Sequence, residues 1–356
     1  MSADGTPDRT SIAIIGAGLA GLSAAWQLTF SPNPPPHLTI FDKSRGLGGR
    51  LATRRLPNGQ AFNHGAQYVR AGDPHLQRLL REASEQEHAA EWRAPIADGP
   101  PLDIDETRPR FIGQPGMSAL GRHLMSATEK QARKNGVDII RHRQTQIIKL
   151  ISGLHGWLLE DQLGGQYGPF EQVLIAVPAP QAKTLLEDAE AVENGRLSRL
   201  LEASRTPMVP CWSLMVAFEK ALPLGAAAKQ FKDHDLAWIG SSNPLADNAA
   251  HQSDWHGYVV HAGPAWSEAH LEARNEAVAD QLLEIVSAAL DGALPTVVHK
   301  ATHRWRYAFA PNASGQPCHH DQSLGLTLAG DWCLGNRAES AFLSGVAAAR
   351  AINPQQ

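Results

Sequence analysis

"SIAIIGAGLAGLSAAWQL", residues 11–28, is the stretch on which the fold turns. Its first five residues are short, apolar and largely β-branched, which suits a strand buried on both faces of a parallel sheet. Gly16, Ala17, Gly18 and Gly21 interrupt the run as Gly-x-Gly-x-x-Gly. Ala20, Ala24 and Leu28 then recur at a spacing that places them on one face of a helix. "SPNPPP" (31–36) breaks that helix, and "HLTIFD" (37–42) reads as a second strand. Strand, glycine turn, helix and strand make a βαβ unit.

Working outward, the chain has 356 residues with 43% apolar side chains, enough for one large domain or two ordinary ones. Its 32 basic and 36 acidic residues nearly balance, which argues against a nucleic-acid partner. Cys211, Cys318 and Cys333 have no metal-ligand spacing and no partner count for a disulfide framework, so a reducing compartment is expected. The N-terminal decapeptide is polar, and no apolar run reaches the roughly 18 residues of a membrane span. Sequence alone reads as a soluble, cytoplasmic protein with no membrane partner. No His-Glu-x-x-His or paired metal spacing occurs among the 16 histidines, so no metal is expected.

In the glycine turn, Gly16 permits the tight bend, Gly18 lets the backbone approach a pyrophosphate, and Gly21 allows close helix packing. The helix start offers free N–H groups and a positive dipole end to an anion. Asp42 ends the second strand, where a carboxylate accepts hydrogen bonds from an adenosine ribose and disfavours a 2′-phosphate. This pattern serves NAD and FAD alike.

The segment after it chooses between them. "DKSRGLGGRLATRR" (42–55) resembles the turn that follows the ribose-binding acid in the glutathione-reductase-like FAD enzymes, above all their amine-oxidase branch. Gly46, Gly48 and Gly49 let backbone N–H groups curl towards oxygens. Arg50 offers a planar fork to phosphate, and Lys43 or Arg45 can cover the adenosine side. Arg54 and Arg55 read as solvated loop charges. A third piece, "LTLAGDWCLGNRAESAFLSGVAAA" (326–349), is a buried strand, a loop and a helix of small residues. The same resemblance implies that Gly330 and Asp331 meet the ribityl chain or pyrophosphate. It also implies that the helix starting near Arg337 and Ala338 faces the flavin N1–C2 region, where its dipole favours negative charge. Gly345 and Ala347 read simply as close-packing positions in that helix.

Between these motifs, residues 71–110 suggest a helix and an irregular proline-rich stretch, and "GMSALGRHLMSATEKQARKNG" a helix. Strands are expected at "VDIIRH", "TQIIKLISG", "GWLLEDQ" and "QVLIAVPAP". A second, mainly antiparallel sheet is expected between about 205 and 310, with one long helix over "WSEAHLEARNEAVADQLLEIVSAALDG" inside it. The expected fold is therefore α/β: a Rossmann-type FAD-binding domain (1–70, 113–183 and 319–356) with an inserted α+β substrate domain on an antiparallel sheet (71–112 and 184–318).

"FNHGAQYV", "PGMSALGRHL", "VLIAVPAPQA", "HAGPAWSEAHLE", "HRWRYA" and "LAGDW" narrow the resemblance to the renalase family, particularly its bacterial members, over residues 11 to 350. The resemblance implies a noncovalently bound FAD and an oxidase acting on 2- or 6-dihydro isomers of NAD(P)H. Hydride would pass to flavin N5, NAD(P)+ would leave, and O2 would take the electrons to give hydrogen peroxide. No catalytic side chain is required, because the nicotinamide nitrogen drives hydride departure and the protein positions the ring. In "NHGAQY", Gly65 and Ala66 permit close approach of the substrate ring, while His64, Gln67 and Tyr68 offer hydrogen bonds or an aromatic wall. Trp305 and Tyr307 either line the same pocket or pack a core, and Arg337 is a further substrate contact. Ile147 matches the strand residue whose backbone receives the adenine. His261 reads as a satisfied core histidine and Cys333 as a buried small residue, not a flavin attachment point. The alternatives are a flavin amine oxidase, an aromatic hydroxylase and a flavin-binding protein without turnover.

Overall fold

The computed structural model describes residues 11–98, 108–189, 195–242, 245 and 255–354. The N-terminal decapeptide and, apart from residue 245, the insertion-like "LADNAAHQSD" (245–254) lie outside the described residues.

The strand Ser11–Ile15 sits inside a six-stranded sheet, in the order His319–Asp321, Leu326–Leu328, Gln172–Ile175, Ser11–Ile15, His37–Asp42, Asp138–Arg143. All neighbours pair in parallel except His319–Asp321, which runs antiparallel at the edge. Ile14 lies between Ile40 and Leu174 with no exposed surface. The helix Leu19–Thr29 follows the turn directly and packs on the helix Ala338–Ile352. Gly345 makes that contact possible, since a Cβ there would stand 2.0 Å from the Ala20 carbonyl oxygen. The Ser23 hydroxyl bridges the two helices to the Phe342 carbonyl at 2.9 Å. A three-stranded antiparallel sheet, Ile147–Gly153, Gly156–Asp161 and Gln166–Phe170, completes the layer through Leu150, Trp157 and Phe170.

The second sheet orders Val297–Phe309, Val209–Phe218, His256–Ala262, Leu236–Ser241, Ala228–Gln230 and Ile96–Ala97. Alternation along Val209–Phe218 gives it two faces. Leu214, Val216 and Phe218 meet Val278, Leu282 and Val286 of the helix Asn275–Ala289, while Met215 and Ala217 meet Phe62 and Val259 on the other side. This is the α/β architecture with a further, mainly antiparallel sheet that the sequence suggests.

Three expectations are corrected. The single long helix is two, Pro264–Ala269 and Asn275–Ala289. Between them Trp212 Nε1 donates to the His270 carbonyl, which also takes the turn N–H of Ala273, and Arg304 donates to the Leu271 carbonyl, so neither acceptor continues an α-helical ladder. The stretch after the helix Pro74–Glu85 holds short strands at Ala89–Glu91, Ile96–Ala97 and Arg110–Gly113. The compact units also divide at other points: Met1–Arg50, Leu120–Met208 and Phe309–Gln356 form one, and Leu51–Ala119 with Val209–Ala308 the other. Leu185, Leu186, Leu197, Leu200 and Ala310 join the core of the first unit, and Phe62 joins the second. Apolar side chains, more than motif ends, set these boundaries.

Candidate functional site

In the first unit, the glycines of the opening motif divide their work. Gly16 has φ +107° and would place a Cβ 2.5 Å from the Ala176 carbonyl oxygen; Gly21 would place one 1.9 Å from that of Gly16. Gly18, in contrast, has extended backbone, and a Cβ there would meet nothing within 4 Å. It caps the helix Leu19–Thr29 with no side-chain hydrogen bond, so the first-turn donors are left to another acceptor. The second glycine cluster folds onto the first. Gly48 donates to the Ala17 carbonyl at 2.8 Å, and Gly49, at φ +57°, approaches the Gly18 Cα. Gly121, which the sequence reading missed, lies so close under Gly48 that its Cβ would stand 2.8 Å from the Gly48 Cα. Its signal was only a helical glycine, which rarely stays without a packing reason.

Asp42 holds this turn in shape: Oδ2 accepts the Ala17 N–H and Oδ1 the Ser44 N–H, each at 2.6 Å. Two lone pairs of the carboxylate remain for a hydroxyl donor. Lys43 and Arg45 are exposed beside it. Ile147 is buried at the start of its strand, opposite Asp161.

Arg50 and Asp331 meet in a bidentate pair, with Nη1–Oδ2 at 2.8 Å and Nη2–Oδ1 at 2.7 Å. The Asp331 side chain is 6% exposed and that of Arg50 31%. The sequence reading gave each of them to a cofactor separately; the structure joins them across 281 residues. Gly330 is fixed by its N–H on the Ser344 hydroxyl at 3.0 Å. Arg337 is exposed and caps the helix beginning at Ala338, again without a side-chain cap bond. Arg337 therefore belongs to the first unit, while the other expected substrate residues belong to the second. Cys333 is fully buried, and that burial pushes its thiol up to about 12. All three cysteines are free.

The second unit gathers His64, His303 and Trp305. Trp305 Nε1 donates to the His64 carbonyl at 2.8 Å, and the two rings stack at 5.4 Å and 19°. His303 stands edge-on to both, at 4.8 Å from His64 and 4.3 Å from Trp305. Burial, with the His303 neighbour next, lowers His64 to about 4. Burial and then the Arg54 charge do the same to His303, and burial lowers His261 to about 4. All three imidazoles are neutral at pH 7. His261 is not the satisfied core histidine expected, because among the described residues its Nε2 has no hydrogen-bond partner; His64 Nδ1 has none either. Arg54 is exposed as expected, yet its charge reaches this cluster.

Gln67 Nε2 turns back to the carbonyls of Asn63 and Gly65, so it braces the loop. Gly65 and Ala66 are partly exposed within it. Tyr68 faces away to Trp92 and Trp238, at ring distances of 5.4 and 6.2 Å. Tyr307, like Trp305, is partly buried on the strand Val297–Phe309. His303 and His261 were missed as site residues, although His299, His303, Trp305 and Tyr307 alternate along one strand face and could have been found by that period.

Among known proteins, residues 14–83 match the NAD(P)-binding Rossmann-like domain and residues 85–353 the flavin containing amine oxidoreductase family. The chain belongs to that second family. It is a flavin-dependent oxidoreductase, and the cofactor is FAD. Renalase of Mus musculus is 22% identical over 306 residues, covering 83% of this chain and 84% of its own. A solved structure from Exiguobacterium sp. 255-15, provisionally called a protoporphyrinogen oxidase, superposes with a TM-score of 0.72 at 13% identity, over 98% of this chain and 99% of that one. Cyclohexylamine oxidase from Brevibacterium oxydans IH-35A gives 0.68 at 12% identity, over 97% and 98%. At these identities the structural likeness carries the fold alone. The first unit fits a flavin dinucleotide on its own geometry: open space over Gly18 and Gly46, and two helix starts without side-chain caps, at Gly18 and Arg337. Among the described residues no helix is long and apolar enough to cross a membrane, and no cluster could hold a metal.

Proposed function

We propose that this protein oxidises 2- or 6-dihydro isomers of NAD(P)H to NAD(P)+ and delivers the electrons to O2. One observation carries the reading. His64, His261 and His303 are neutral, His64 and His303 stand with Trp305 and His261 lies near His64, and among the described residues none of the three bonds to an Asp, Glu, Lys or Cys side chain. Such a wall suits a flat, uncharged dihydropyridine. It has no ready general base with a tuned pKa near 7 and no nucleophile. Bound FAD would supply the two-electron acceptor for the hydride. The protein's own part is to hold the ring flat and exclude water, which is the positioning contribution to such a transfer. Trp305, tied to the His64 carbonyl, fixes the loop that carries Gly65 and Ala66, and Tyr307 continues the same strand face.

On the cofactor side, Gly16, Ala17, Gly18, Gly48 and Gly49 would hold the pyrophosphate with backbone N–H groups, and Gly21 closes the helix onto that turn. Asp42 would take the ribose, with Lys43 and Arg45 beside it. Arg50, Asp331 and Gly330 would serve the diphosphate and ribityl side, Ile147 the adenine and Ala338 the flavin end, with no covalent bond to Cys333.

The runner-up is amine oxidation, the activity in the name of the Brevibacterium neighbour. A cationic amine is poorly served by neutral imidazoles beside the Arg54 charge. Product analysis in air tests the choice. One NAD(P)+ and one hydrogen peroxide per isomer consumed supports the proposal. Ammonia released from cyclohexylamine, with the isomers untouched, overturns it.

A further inference from the structure

Away from the histidine cluster, the second unit holds two guanidiniums in an arrangement that structure alone does not favour. Arg70 and Arg110 are directly opposed on the antiparallel strands Val69–Arg70 and Arg110–Gly113. Like charges opposed across a ladder are destabilising. Several other guanidiniums pair with carboxylates: Arg50 with Asp331, Arg141 with Glu129, Arg304 and Arg306 with Glu272. Here, among the described residues, neither has a carboxylate partner. Arg70 donates to the Arg108 carbonyl at 3.3 Å and Arg110 to the Ala94 carbonyl at 2.8 Å. A guanidinium has five donors, so each keeps most of its fork free.

Aromatic rings surround them. The Arg110 guanidinium lies 4.6 Å from the Trp92 ring centre and 5.8 Å from that of Tyr68. Trp238 closes the group at 6.2 Å from Tyr68 and 6.4 Å from Trp92. Trp92 and Trp238 are buried, whereas Tyr68, Arg70 and Arg110 reach the surface in part. Among the described residues the Trp92 indole N–H has no acceptor. Burial also lowers the Arg110 pKa, as it does for a cation short of a counter-charge. Among the described residues the cluster therefore has donors, positive charge and a ring face without an anion.

We infer that Arg70 and Arg110, with Tyr68, Trp92 and Trp238, bind the adenosine diphosphate half of the dinucleotide substrate. This rests on the function proposed above. Two paired forks match two linked phosphates, and Tyr68 offers a stacking face to the purine. Tyr68 lies four residues beyond His64, so one loop would serve both halves of the substrate.

The test uses the FAD-loaded full chain and ADP, a probe with no reducible ring, titrated by calorimetry beside adenosine. The inference expects saturable ADP binding that weakens at least tenfold in R70M, while adenosine binding shifts less than twofold. R110K, which keeps the charge where R110M risks misfolding, should weaken ADP less than R70M. ADP binding equal in wild type and R70M overturns the site, and so does no ADP binding in a protein whose flavin the isomers still reduce. Arg70-dependent ADP binding in a protein that no isomer reduces upholds the site and sinks the proposed oxidation instead.

Discussion

Replacing Arg50 by Met removes one half of a buried bidentate pair and leaves the Asp331 carboxylate, 6% exposed, without its counter-charge. Breaking a buried pair from one side costs ~3–5 kcal/mol. Because Arg50 itself is 31% exposed, water can enter the space it leaves, and the lower end, ~3 kcal/mol, is expected. D331N strands only the better-solvated partner and should cost ~1 kcal/mol. R50M/D331N strands neither charge, so it should cost ~1–2 kcal/mol, well below the sum of the single changes. Urea unfolding of the cofactor-free protein, followed by tryptophan fluorescence and circular dichroism together, measures the cycle; coincident transitions are required before free energies are compared. FAD fluorescence on release gives the affinities alongside, and both single variants should weaken FAD. Additivity within ~0.5 kcal/mol would refute the pair as a coupled unit, and FAD affinity unchanged in R50M would refute its place beside the cofactor.

Further outcomes follow from neighbouring features. G18A adds a methyl to open space at extended backbone, so the cofactor-free protein should keep its stability within ~0.5 kcal/mol and bind FAD at least tenfold more weakly; G21A, with its Cβ 1.9 Å from the Gly16 carbonyl oxygen, should fail already in the melting scan. Equal FAD affinity in G18A and wild type would mean that nothing approaches that backbone. His64, His261 and His303 are lowered to about 4 in the fold from 6.5, so the unfolded chain binds more protons between those values. Stability should be full above pH 6.5 and fall as pH drops towards 4, by up to ~1.4 kcal/mol per pH unit for each histidine; urea midpoints flat across that range would contradict it, and H303Q should flatten the slope. W305F keeps a ring but loses the bond to the His64 carbonyl, for a loss of ~1 kcal/mol and a KM for the isomers that rises more than kcat falls.

The βαβ opening was legible because each glycine there answers a separate constraint, and Asp42 closes the strand where the turn needs it. What the sequence concealed was pairing at long range. Arg50 and Asp331 each looked like a cofactor ligand, and nothing in one motif announces the other. The unit boundaries eluded motif reading for a similar reason: Leu185, Leu186, Leu197 and Leu200 choose a core by packing. The helix break after Ala269 has no glycine or proline at it; Trp212 and Arg304, distant in sequence, capture the carbonyls. Strand alternation could have exposed His303 with Trp305, whereas Tyr68, Trp92, Trp238 and Arg110 come from four separate segments with no shared period.

The central claim is the identity of the hydride donor. Anaerobic rapid mixing of the FAD-loaded protein with each donor, watching the flavin absorbance, tests it most directly. The account predicts fast bleaching by 2- or 6-dihydro NAD(P)H and none by the ordinary 4-dihydro form. Inert isomers, with bleaching by an amine or by 4-dihydro NADPH, would contradict it.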